Sequence, residues 1–185
     1  MDHKREELKQ LMAQRTYRDN SHFRTPAKIV DSYFDFFQIS LKHQGIELAG
    51  SLLYEEIKDL DICALGGPGH AGTSVICRAA FLKKIGVFYV RDCMRKEGEV
   101  TEPRYLESRI KNGDRVALVA DVISSGSRLL TAIEEVFQFG GIIAKIIIFI
   151  DSLDGEGVDR VKNFIETNRL DTEIKVLYTA KEVLG

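Results

Sequence analysis

Apolar residues fall along this chain in two alternating rhythms. Five short and nearly uninterrupted apolar runs, Asp61 to Leu65, Gly86 to Arg91, Arg115 to Ala120, Ile143 to Ile150 and Glu173 to Tyr178, have the length of strands. Between them stand stripes at helical spacing. Ile46, Leu48, Ala49, Leu52, Leu53 and Ile57 form one, and Val75, Ile76, Ala79, Ala80 and Leu82 a second. Leu129, Leu130, Ile133, Val136 and Phe137 form a third, and Val158, Val161, Phe164 and Ile165 a fourth. Strands that alternate with helices predict βαβ units and a parallel sheet. Because the runs are continuously apolar rather than alternating, helices are expected on both faces of that sheet.

The first 40 residues follow another pattern. A polar amphipathic helix over about His3 to Arg15 precedes an irregular, aromatic-rich stretch, Tyr17 to Phe37, that could cap the sheet. The one sizeable polar insert, Met94 to Asn112, separates the second and third strands. A connection of that length inside a compact domain suggests a mobile functional loop, here a candidate lid. It carries Arg95, Lys96, Arg104, Arg109 and Lys111, with Arg91 just before it, against Glu97, Glu99, Glu102 and Glu107. Such a segment is either a solvated loop of mixed charge or a set of cations that closes over an anion.

Composition narrows the partners. The 185 residues are 44% hydrophobic and 29% charged, which suits one soluble globular domain. The net charge of −2 leaves no global basic field for nucleic acid or an anionic membrane, so an anionic ligand must be held locally. No apolar stretch approaches the roughly 20 residues of a membrane span. The polar start, Met1 to Arg5, lacks the apolar core of a secretory signal, and a cytoplasmic location is expected. Cys63, Cys77 and Cys93 are odd in number and widely spaced, so they read as reduced thiols. Cys63 and Cys77 are expected as small core hydrophobes.

The segment Val116-Ala-Leu-Val-Ala-Asp-Val-Ile-Ser-Ser-Gly-Ser-Arg128 carries the most chemistry. A buried strand ends at an acid and turns through small residues into a helix. Ser124, Ser125, Gly126 and Ser127 can present N–H groups and hydroxyls to an anion at a helix N-terminus, and Asp121 can accept hydrogen bonds from ligand hydroxyls. Equally, the serines can cap the helix and Asp121 can close the turn.

Read with the rest of the chain, this segment resembles the type I phosphoribosyltransferases, and within them the orotate phosphoribosyltransferases. Ala120-Asp-Val-Ile-Ser-Ser-Gly-Ser127 is similar to the family's phosphoribosyl pyrophosphate signature. Ser32-Tyr-Phe-Asp35 and Ile39-Ser-Leu-Lys-His-Gln-Gly45, with Gly50, are similar to its hood and first helix. Leu65-Gly-Gly-Pro-Gly-His-Ala-Gly72 resembles its pyrophosphate loop, Arg91 to Gly98 its catalytic loop, and Ile147 to Gly155 the strand and loop that close over the base. The resemblance spans about residues 15 to 157, in order and at nearly the family's spacing.

It implies one α/β domain over residues 1 to 185, a parallel sheet flanked by helices, with a hood near 15 to 37 and a lid near 94 to 112. The implied reaction transfers the ribose 5-phosphate of phosphoribosyl pyrophosphate to a nucleobase such as orotate and releases pyrophosphate. The 5′-phosphate would lie on Ser124 to Ser127 with Arg91 nearby, the ribose on Asp121, and the pyrophosphate on Pro68, Gly69, His70, Ala71 and Gly72. His70 reads as a phosphate contact or as a surface residue. Arg95 or Lys96 would act with Asp121 in catalysis, and Lys28, Phe34 and Ser152 would line the base pocket, although Phe34 reads equally as core. Mg²⁺, bound mainly through substrate oxygens, and a homodimer with shared lids are implied as well.

The chain departs from the family pattern at several positions. Ala120 replaces the first acid of the ribose-binding pair. Asp92, Arg95 and Glu97 replace a Lys, the catalytic Lys and a His of the lid, while Arg91 and Gly98 match. Ser152 stands in place of the Arg that meets the carboxylate of orotate. Three readings follow: an enzyme of the orotate type, an enzyme for another base, and a non-catalytic sensor of phosphoribosyl pyrophosphate or a nucleotide. The retained loops favour an enzyme.

Overall fold

A computed structural model describes residues 2–15, 17–24, 29–91, 106–107, 110–152 and 156–185. The N-terminal helix α1 (Asp2–Arg15) buries Leu8, Leu11 and Met12. The stretch expected to be irregular is instead an antiparallel hairpin, β1 (Tyr17–Arg24) and β2 (Ile29–Phe34), with Tyr17 opposite Phe34. A short helix α2 (Phe37–Ser40) leads into α3 (His43–Ile57).

The five expected strands are β3 (Ala64–Pro68), β4 (Gly86–Val90), β6 (Arg115–Ile123), β7 (Ile142–Asp151) and β8 (Glu173–Thr179). All run parallel to their neighbours. A two-residue strand β5 (Leu106–Glu107) adds an antiparallel edge beside β4 and completes the sheet order β5-β4-β3-β6-β7-β8. This edge strand falls inside the expected lid. At the C-terminal arm of that segment, Leu106 registers with Val90 and Ile110 is buried in the core. Residues 94–105, 108 and 109 of that connection lie outside the described residues.

The first strand begins three residues later than its apolar run predicts and continues through Gly66, Gly67 and Pro68, which the sequence pattern assigns to a loop. Close packing explains both glycines. A Cβ on Gly66 would stand 2.4 Å from the Phe88 carbonyl oxygen, and one on Gly67 would stand 2.0 Å from that of Val119. These two glycines therefore serve the close approach of adjacent strands.

Continuous apolarity in the central strands does correspond to burial on both faces. Ile147 and Phe149 of β7 join α1 to α3 and α4 (Thr73–Lys83) in one core cluster. Ile146 and Ile148 join α5 (Ser127–Gln138) and α6 (Gly157–Thr167) in the other. Each such side chain contributes about 1.5–3 kcal/mol on burial, which sets the sheet as the frame of the molecule. Phe137 breaks from its predicted stripe and is 59% exposed near the end of α5. Cys63 and Cys77 are free thiols but exposed, against the core expectation. Cys63 precedes β3, and Cys77 lies on the side of α4 away from buried Val75, Ile76, Ala79 and Ala80. A terminal helix, α7 (Ala180–Leu184), opens with a capping box between Thr179 and Glu182.

Candidate functional site

Sheet order alone marks one place for a ligand. The chain winds outward from β3 to β4 on one side and from β6 through β7 to β8 on the other, so the direction of winding reverses between β3 and β6. A crevice at the carboxyl ends of such a pair is the usual ligand position in open α/β sheets. Here β3 pairs with β6 only through Leu118, whereas β6 stays paired with β7 as far as Ile123. The paired register of the two strands ends at Leu118, with Gly67 still packed against the Val119 carbonyl, and the loops that follow them flank the opening beyond.

Asp121 stands on the portion of β6 that has left β3. It is half-buried, and its Oδ1 accepts the N–H of Val122 at 2.8 Å, which fixes the carboxylate. Ala120 is 4% exposed and packed in the core beneath α5 and α6, so it supplies no polar group. The strand runs two residues past Asp121 rather than ending at it.

The turn from β6 into α5 is tight. Gly126 takes φ +75° at the N-cap of α5, and no side chain caps the helix. Ser125 Oγ lies 3.1 Å from Ser127 Oγ and 3.5 Å from the Ser127 N–H, the latter at the long limit of a hydrogen bond. Orphan N–H groups at an uncapped helix start are suited to an anion. The loop is braced from behind by α6. Arg160 Nη1 donates to the Ser125 carbonyl at 2.5 Å, and Gly157 packs against Ser124 and Gly126. Neither Arg160 nor Gly157 stands out in the sequence, because their role depends on contact with a loop some 30 residues upstream.

Across the crevice, Pro68 is the last residue of β3, Gly69 takes φ +76°, and Gly72 forms an N-cap of α4 without a side-chain cap. Ala71 points into the core at 8% exposure, so only its backbone could meet a ligand. His70 is exposed and stacked on Tyr89 of β4, with ring centroids 5.1 Å apart and planes 27° apart. The Tyr89 hydroxyl sits 2.9 Å from His70 Nδ1 and 3.1 Å from Nε2. Val90 registers with Pro68, which starts Arg91 beside this same loop.

The end of β7 forms a third wall. Asp151 registers with Ile123, and the Ser152 N–H donates to the Ile123 carbonyl at 2.9 Å. Asp151 Oδ1 and Ser152 Oγ are buried with no hydrogen-bond partner among the described residues. Burial, with Asp159 adding to it against Lys162, holds the Asp151 carboxyl above its ordinary range. Of the two readings open for Phe34, the structure matches core: it is 5% exposed and belongs to the cluster beneath the sheet, at the end of the β1–β2 hairpin. Lys28, Arg95 and Lys96, with Asp92 and Glu97, lie outside the described residues.

Among the described residues no three His, Cys, Asp or Glu side chains gather as a metal cage. Asp121 at the crevice fits a divalent cation held mainly by the oxygens of its ligand. No helix among the described residues is long and apolar enough to cross a membrane.

No family model matches the chain. It is similar to the orotate phosphoribosyltransferase of Methanocaldococcus jannaschii, with 25% identity over 134 residues that cover 72% of this chain and 74% of that one. The orotate phosphoribosyltransferase of Aquifex aeolicus is 27% identical over 159 residues, covering 82% and 85%. In three dimensions, a phosphoribosyltransferase from Corynebacterium diphtheriae superposes with a TM-score of 0.74 over 98% of both chains at 22% identity.

Proposed function

We propose that this chain, which has the type I phosphoribosyltransferase fold and is similar in sequence to orotate phosphoribosyltransferases, moves ribose 5-phosphate from phosphoribosyl pyrophosphate to a nucleobase. The observation that carries the reading is the convergence of two small-residue loops, Pro68 to Gly72 and Ser124 to Ser127, on the point where β3 and β6 part, with Asp121 beside them.

A ring nitrogen of the base forms a bond to the anomeric carbon while the bond from that carbon to the pyrophosphate oxygen breaks. The electron pair leaves with pyrophosphate, and the sugar passes through an oxocarbenium-like state. The chain's tasks are therefore to orient the sugar and to stabilise the departing charge. N–H groups and hydroxyls of Ser124, Ser125, Gly126 and Ser127 hold the 5′-phosphate at the start of α5. Asp121, fixed by the Val122 N–H, accepts from the ribose hydroxyls. The backbone of Gly69 to Gly72 approaches the pyrophosphate, with Arg91 at its flank. Mg²⁺, when bound, neutralises pyrophosphate charge. Arg95 and Lys96 are the lid cations of this reading, and a homodimer in the cytoplasm is its setting.

Orotate is the acceptor that the sequence relatives favour. Ser152, standing where the family sets an arginine against the carboxylate of orotate, favours a second acceptor, a base that carries no carboxylate.

The test is pyrophosphate release from phosphoribosyl pyrophosphate and Mg²⁺ with a panel of free bases, alongside melting temperatures. Base-dependent release identifies the acceptor. Stabilisation by phosphoribosyl pyrophosphate without turnover of any base overturns the enzyme in favour of a sensor. Asp121→Ala is expected to weaken binding by about tenfold or more while leaving the fold intact. Unchanged affinity removes Asp121 from the site.

A further inference from the structure

Arg128 carries a role that no motif assigns to it. It is the second residue of α5, in a first turn without an acidic residue. A cation there faces the partial positive charge of the helix N-terminus, so the stability of α5 gives no reason for an arginine at this position. Its side chain is exposed and crosses the crevice: Nη1 lies 3.5 Å from the point where a Cβ on Gly69 would stand. The guanidinium thus begins at the loop after β6 and ends at the loop after β3. The far side of that second loop carries the His70–Tyr89 pair and the start of Arg91.

We infer that Arg128 binds the pyrophosphate of phosphoribosyl pyrophosphate, bridging the two loops and stabilising the charge that develops on the leaving group. This inference rests on the reaction proposed above. A guanidinium presents forked donors to phosphate oxygens and keeps its charge at every physiological pH. Its position on a rigid helix, one residue past the serine loop, ties the placement of the leaving group to that of the 5′-phosphate. Gly69 suits the arrangement, because φ +76° favours glycine and the lack of a side chain leaves the space beside the guanidinium open.

The experiment is calorimetric binding of inorganic pyrophosphate, phosphoribosyl pyrophosphate and ribose 5-phosphate, each with Mg²⁺, to the wild type, Arg128→Gln and Arg128→Lys. The glutamine variant is expected to lose at least about tenfold in affinity for the two pyrophosphate ligands, the loss of one charge-assisted hydrogen bond, and none for ribose 5-phosphate. Lysine, which keeps the charge but not the fork, should fall between. Equal losses for ribose 5-phosphate and phosphoribosyl pyrophosphate, or unchanged pyrophosphate affinity, overturn the assignment. Should the glutamine variant fail to fold, wild-type pyrophosphate affinity in the lysine variant overturns it instead. A wild type that binds neither pyrophosphate ligand removes the proposed reaction and this role together, a result distinct from wild-type binding with an indifferent variant.

Discussion

Gly157, the first residue of α6, presses against Ser124 so closely that a Cβ on it would stand 2.3 Å from the Ser124 carbonyl oxygen and 2.9 Å from the Gly126 amide nitrogen. The reverse also holds, since a Cβ on Gly126 would stand 2.8 Å from the Gly157 carbonyl oxygen. The serine loop is therefore shaped by α6 as much as by its own sequence, and the Arg160 bond to the Ser125 carbonyl acts in the same direction.

The contact sets the sign of two substitutions. In an open helix, Gly→Ala stabilises by roughly 0.5–1 kcal/mol. At Gly157 the added methyl meets backbone that cannot yield without moving the loop, so Gly157→Ala should destabilise the protein and weaken phosphoribosyl pyrophosphate binding together. Gly126→Ala adds the strain of a left-handed residue, about 1–2 kcal/mol. Thermal melts and ligand titration check both, and a Gly157→Ala protein that melts at or above wild type would count against the packing argument.

Asp151 offers a test by pH. Its carboxyl is raised above the ordinary value of 3.8, chiefly by burial, so the folded chain binds its proton more readily than the unfolded chain does. Stability from this group is present at low pH and is lost as pH rises through the folded pKa, leaving a buried, unpartnered charge at neutrality. Asp151→Asn should raise the melting temperature at pH 7.5 by on the order of 1–3 °C. The gain should shrink as the pH falls toward 4. A difference that stays constant with pH would show that charge is not its cause.

On the neighbouring strand, where it registers with Ile150, Tyr178 ties β8 to the first helix. Its hydroxyl donates to the Arg5 carbonyl at 2.8 Å, the Arg5 guanidinium carbon stands 5.0 Å from its ring centre, and burial pushes its pKa from 10.0 up to about 12. The folded state holds that proton longer, so this contribution is complete below pH 10 and is lost between pH 10 and 12. Tyr178→Phe leaves the Arg5 carbonyl without this donor and should cost about 1–2 kcal/mol at pH 7. Its deficit against wild type should narrow above pH 10. Denaturant melts across that range measure both, and a deficit that persists unchanged at pH 12 would rule out the titration.

Much of the frame is legible in the sequence because its physics is local or periodic. Uninterrupted runs such as Ile146 to Phe149 can be buried only between two helical layers, and the small residues after Asp121 permit few turns other than one that opens a helix. The α3 and α6 stripes follow from the same reasoning, and the resemblance over residues 15 to 157 extends it to the loops. The rest depends on what stands beside each residue. Gly66 and Gly67 read as loop glycines until β4 and β6 approach them, Phe34 reads equally as a stacking face or as core until the fold buries it, and Cys77 reads as apolar until its side of α4 faces outward. Short-range pattern thus determined the layers, the strands and the serine loop. Only tertiary structure decided that the pairing of β3 with β6 ends at Leu118, that α6 braces the loop, and that Arg128 reaches Gly69, because each depends on segments whose separation along the chain leaves no periodic trace.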